Sequence, residues 1–85
     1  MLSIKERTDQ NKKLAVIQCV KLLGQKNPEN IIWEGNELFS HTNSRGRKRL
    51  FLPCLNYHEY SAKLKEHEHA DMLKCLGYYV LYWDA

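Results

Sequence analysis

Ile31-Ile32-Trp33-Glu34-Gly35-Asn36-Glu37-Leu38-Phe39-Ser40-His41 is the stretch on which the fold turns. Two strand-like runs, residues 31–34 and 37–41, flank Gly35-Asn36, a dipeptide suited to a two-residue hairpin turn. A single strand bulged at Gly35 is the competing reading. Further on, Asn43-Ser44-Arg45-Gly46 supplies a second turn and residues 47–52 a third strand, with Pro53 limiting how far its backbone can donate to a neighbour. These runs predict a three-stranded antiparallel meander.

Upstream, Thr8 or Asp9 can cap a helix in which Val16, Ile17, Val20 and Leu23 fall at i, i+1, i+4 and i+7 on one buried face. Gly24 is placed to end it. Ser3 with Glu6 offers an earlier capping box, but Thr8-Asp9-Gln10-Asn11 is a poor helix interior. Residues 1–7 therefore read as a flexible or separately packed lead-in.

Downstream, residues 57–76 have a helical composition, with Tyr60, Leu64, Met72 and Leu76 at fourfold spacing, Glu68 at the margin of that stripe and Gly77 as its stop. The run Tyr78-Tyr79-Val80-Leu81-Tyr82-Trp83 fits a strand covered on both sides. Period two puts Tyr78, Val80 and Tyr82 on one face and Tyr79, Leu81 and Trp83 on the other. With two helices on one side of the sheet, Tyr79, Leu81 and Trp83 form a dimer or partner face, and a homodimer is the simplest cover. The expected class is α+β, a single domain in the order helix, three-stranded antiparallel meander, helix, strand.

Composition agrees with one small domain: 85 residues, 44% hydrophobic and 27% charged. Thirteen Lys and Arg against ten Asp and Glu give a formal net charge of +3, with the signs mixed along most of the chain, which excludes acidic mimicry of DNA. Cys19, Cys54 and Cys75 are odd in number and far apart, so they indicate neither a disulfide framework nor a zinc ribbon, and a reducing cytoplasm is the expected location. Neither a secretory leader pattern nor the roughly 18 consecutive apolar residues of a membrane span occurs, so no membrane partner is expected.

Arg45-Gly46-Arg47-Lys48-Arg49 concentrates four cations in five residues at the second turn, next to His41, Thr42, Asn43 and Ser44. Arginine forks and small polar donors match phosphate oxygens, so His41, Asn43, Arg45, Arg47, Lys48 and Arg49 are the candidate nucleic-acid-binding residues. The alternative is a solvated turn that keeps a strand soluble. A second polar cluster, His58-Glu59 and Glu66-His67-Glu68-His69 with Asp71, places only His67 and Asp71 at the i, i+4 spacing of paired metal ligands. Other ligands would have to come from Cys54, His58 or His41, so an exposed polar helix face is the simpler reading and no metal site is assigned. Nucleophilic catalysis has no support: Cys19 and Cys75 fall in apolar surroundings, no glycine-rich phosphate cradle is present, and Ser40, Ser44 and Ser61 lack a nucleophile-elbow context. No catalytic residue is assigned.

The element order resembles the core of the restriction-endonuclease-like superfamily, the PD-(D/E)XK nucleases, and the length is similar to that of its small VRR-type members. Met72-Leu73-Lys74-Cys75-Leu76-Gly77-Tyr78-Tyr79-Val80 looks like the segment where such proteins end their last helix and begin a strand, and Phe39-Ser40-His41-Thr42-Asn43 with Arg45-Gly46-Arg47 looks like their strand-to-loop region. The resemblance implies Mg²⁺-dependent cleavage of nucleic acid, which needs closely set carboxylates and a lysine. Here residues 47–54 contain no acid, so the family's catalytic residues do not carry over, and Glu34, Glu37 and Glu68 lack a matching lysine. The double-stranded-RNA-binding fold shares the order as far as Leu76, but its basic second-helix start would be reduced here to Lys63 and Lys65. The sequence thus predicts a non-catalytic accessory module, of a style typical of viral or mobile-element proteins, that binds nucleic acid or a nucleic-acid-processing protein and needs no cofactor. The alternatives are a divergent endonuclease using Mg²⁺, and a protein inhibitor of a host enzyme acting through a strand edge or aromatic face.

Overall fold

The computed structural model describes residues 8–85, and the lead-in expected over residues 1–7 lies outside them. The order is α1 (Asp9–Leu22), β1 (Ile31–Gly35), β2 (Leu38–Thr42), β3 (Lys48–Cys54), α2 (Tyr57–Leu64), β4 (Asp71–Cys75) and β5 (Tyr78–Asp84). The class is α+β in the expected order, with one strand more at the C-terminal end. All the strands form one sheet in the order β1-β2-β3-β5-β4, every neighbour antiparallel.

α1 begins where the Thr8 hydroxyl accepts the Asn11 amide at 3.1 Å. It ends with Gly24 at φ +73°, where the Gly24 amide donates to the Lys21 carbonyl at 3.0 Å and the Gln25 amide to the Val20 carbonyl at 3.2 Å. That pair of bonds satisfies carbonyls the last turn would otherwise orphan. Ala15, Val16, Cys19 and Val20 of α1 pack on Phe39, Phe51, Tyr78 and Val80, forming the main core. Pairing of β3 with β2 stops at Phe51 while pairing with β5 continues to Cys54, so Pro53 sits where β3 has a neighbour on one side only.

The β1–β2 connection combines features of both readings of residues 31–41. It is a hairpin, but the turn residues are Asn36 and Glu37, at φ +51° and +64°, one position later than expected, and the register shifts between Trp33 and Gly35. A turn with both central residues at positive φ matches the twist of the flanking strands. Glutamate is an unusual occupant of the left-handed region, and the side chain of Glu37 pairs with the buried Lys12 of α1.

Two expectations need correction. The helix expected over residues 57–76 stops at Leu64, and residues 71–75, Cys75 included, form β4 instead. Lys65-Glu66-His67-Glu68-His69 offers no apolar side chain with which a longer helix could hold the sheet, and the chain closes successive turns there, the last between the Ala70 amide and the His67 carbonyl at 2.9 Å. β4 then divides its apolar side chains between both faces, Leu73 and Cys75 toward α1 and Met72 toward α2. Leu76 and Gly77, at φ +52° and +85°, make a two-residue hairpin turn into β5, so the glycine expected to end a helix turns a hairpin.

The second correction concerns the placement of the helices, which lie on opposite faces of the sheet. Tyr78, Val80 and Tyr82 face α1, whereas Leu81, Tyr79 and Trp83 pack with Leu52 and Cys54 of β3 and with Tyr60 and Leu64 of α2. Leu81 is completely buried, Tyr60 stacks on Tyr79 at 5.6 Å between ring centroids, and His67 stacks on Trp83 at 4.2 Å. The face expected to need a second subunit is thus covered by the chain's own helix and loop, and the argument for a homodimer from that face lapses.

α2 itself contributes no fully buried side chain. Its docking rests on partly buried Tyr60 and Leu64 and on ring contacts, so its amides should exchange with deuterium before those of α1, β3 and β5. Tyr60→Ala should speed α2 exchange further while leaving α1 protected; equal protection of the two helices in the parent protein would contradict this division of the core.

Candidate nucleic-acid interface

The β2–β3 loop is built around one asparagine. The Asn43 side-chain oxygen accepts the amides of Arg45 and Arg47, each at 2.9 Å, while the Asn43 amide donates to the Arg47 carbonyl and the Gly46 amide to the Asn43 carbonyl, also at 2.9 Å. This local network stands in for ladder bonds that the turn cannot make. Asn43 therefore positions the loop, and Arg45 projects from it without an acidic partner among the described residues.

Strand alternation then divides the cations expected to act together. Arg45, Arg47 and Arg49 line, with Asn43, one concavity of about 360 Å³. Lys48 points to the other face, where its ammonium lies 3.1 Å from a Glu34 carboxylate oxygen. His41 is 3% exposed, and its Nε2 stands 3.0 Å from the carbonyls of both Lys26 and Asn27, fastening the segment after α1 to the sheet. The structure thus brings three of the candidate cations together and gives Lys48 and His41 structural partners.

Arg49 is the most constrained of the three. Its Nε donates to Asp84 Oδ1 at 3.0 Å and its guanidinium lies over the Tyr82 ring, 5.7 Å from the centroid. Arg47 stands 3.9 Å from the second Asp84 oxygen and is 71% exposed. A larger groove, about 490 Å³, opens on the far side of Arg49 and is lined by residues 66–71 and 82–84. The polar cluster singled out in residues 66–71 falls in this loop, with His67 held against Trp83. Among the described residues no three His, Cys, Asp or Glu side chains are grouped so that they could hold a metal ion.

Burial pushes the Cys54 thiol up to about 11 and raises the Cys19 and Cys75 thiols as well, so little thiolate is present at neutral pH. Glu34 is shifted the other way: the Ser40 hydroxyl, donating at 2.5 Å, and then Lys48 hold its carboxyl below the ordinary glutamate value of 4.5. Asp84, Tyr82 and the Glu34–Lys48 pair are the parts of this region that the sequence reading missed. The usable signal was period two, which separates Lys48 from Arg47 and Arg49.

Comparison with protein families, with characterised proteins and with solved structures finds no match to this chain. No helix among the described residues is long and apolar enough to cross a membrane.

The depressed Glu34 carboxyl has a definite pH consequence. A folded-state value below the unfolded one contributes stability that is fully present above 4.5 and is lost as pH falls through the lower folded value. Glu34→Gln should therefore lower the thermal midpoint at neutral pH, with the gap to the parent closing in acid; a gap that stays constant down to the acid limit would count against the Ser40–Glu34–Lys48 linkage.

Proposed function

We propose that the protein binds nucleic acid through the β2–β3 loop without cleaving it, acting as an accessory module. The observation that carries this reading is the convergence of Arg45, Arg47 and Arg49 on one concavity beside Asn43. Guanidinium groups present paired donors that match phosphate oxygens, and an exposed basic loop tip can approach a backbone without reading bases. β3 carries no acid that could hold a catalytic cation against that backbone, which favours binding over the endonuclease alternative.

Arg45→Ala should weaken binding of a labelled oligonucleotide several-fold at low salt and lower the slope of log affinity against log salt by about 0.7 to 0.9, the share of one phosphate contact. Arg47→Ala should act in the same direction, and Lys48→Ala, whose partner is Glu34, should change the slope less. An unchanged slope in the Arg45 variant would overturn the reading.

The protein-partner alternative draws on a different observation. β1 has a strand neighbour on one side only among the described residues, and Ile32 and Trp33 on it are each 61% exposed. The opposite edge, β4, exposes Asp71 and Lys74, charges of the kind that discourage strand addition. A partner protein's strand would pair with β1, and Ile32→Lys would abolish capture of that partner while leaving oligonucleotide binding intact.

A further inference from the structure

Asp84 stands directly opposite Arg49 in the β3–β5 ladder. That pairing is set by the register of Phe51 with Tyr82 and of Leu52 with Leu81, whose side chains lie in the two cores, so the carboxylate cannot drift along the strand. Its two oxygens are divided between two arginines, Oδ1 at 3.0 Å from Arg49 Nε and Oδ2 at 3.9 Å from Arg47. The Ala85 amide, donating to the Lys48 carbonyl at 3.0 Å, extends the pairing of the two strands past this point. Asp84 remains 48% exposed, and it borders the large groove on the other side of Arg49.

We propose that Asp84 is a built-in counter-anion of the Arg47–Arg49 pair, so that a phosphate group binding at the loop does so by taking the place of a carboxylate. This rests on the reading of the loop as a phosphate-binding surface and adds its regulation. A carboxylate and a phosphate oxygen compete for the same guanidinium donors. Asp84 therefore lowers affinity for any phosphate at Arg47 and Arg49, and the loop binds most tightly where several phosphates follow one another, one at Arg45, which has no acidic partner among the described residues, and the next displacing Asp84 from Arg47. Arg49, stacked on Tyr82, keeps its place whether Asp84 or a phosphate faces it. A pre-orienting role predicts the opposite sign: were Asp84 needed to hold the arginines ready for phosphate, its neutralisation would weaken binding.

The test uses the full chain and its Asp84→Asn variant, with the arginine Nε–H resonances followed by NMR during titration with inorganic phosphate. Neutralising one exposed pairing partner should shift the midpoint for the Arg47 and Arg49 signals to about two- to five-fold lower phosphate, with the Arg45 signal moving little between the two proteins. Equal midpoints, a higher midpoint in the variant, or no response of Arg47 and Arg49 in either protein would overturn the proposal. A parallel titration with the labelled oligonucleotide separates the two claims. Should phosphate bind tighter to Asp84→Asn while the oligonucleotide ignores Arg45→Ala, the counter-anion stands and the nucleic-acid reading falls; the reverse result removes the counter-anion alone.

Discussion

The pairing of β3 with β5 is the constraint on which the rest of the molecule depends. β5 is the last strand in the chain yet lies inside the sheet, with β3 on one side and β4 on the other. Its side chains are apolar on both faces, so a helix must lie on each face and neither helix can cover both. The crossover through α2 and the β4–β5 hairpin follow, since the chain must pass over the sheet after β3 and return antiparallel through the remaining gap. The same register fixes which charges meet at the sheet's end, because it places Asp84 against Arg49.

The two cores are unequal. The α1 side contains a continuous set of fully buried aliphatic and aromatic groups, including Val16, Val20, Phe51, Tyr78 and Val80. Among the described residues, the buried apolar cluster on the α2 side is Leu52, Cys54 and Leu81, supplemented by partly buried rings and by aliphatic side chains such as Leu64 and Met72. Removing water from apolar surface is the dominant stabilising term, so α1 with β3 and β5 forms the stable body and α2 a cover over it. The loop that carries the arginines extends from β2 and β3 of the stable body.

Much of this was legible in the sequence. The cap at Thr8, the stop at Gly24, the hairpin in residues 31–41 and the two-faced final strand were all readable from local chemistry and period. Two features were not. Gly77 has a positive φ that a helix terminus and a two-residue hairpin both demand, and Tyr60, Leu64, Met72 and Leu76 fit fourfold spacing even though Met72 and Leu76 belong to a strand and its turn. Spacing alone could not choose between a long helix and a short helix followed by a strand. At the basic loop, counting charges overstated the surface: alternation sends Lys48 to Glu34 and burial takes His41, and neither effect depends on composition. Asp84 escaped notice because its importance comes from a partner 35 positions away in the chain.

The unequal edges of the sheet limit how the molecule can associate with itself. β1 carries a single charge, Glu34, already paired with Lys48, beside the exposed apolar Ile32 and Trp33, whereas β4 exposes both Asp71 and Lys74, which resist addition. A molecule with one receptive edge can join its twin edge to edge about a two-fold axis, and the product then presents only charged edges. Any pairing through the β1 edge would therefore close at two copies, because the edges then left open would be those bearing Asp71 and Lys74.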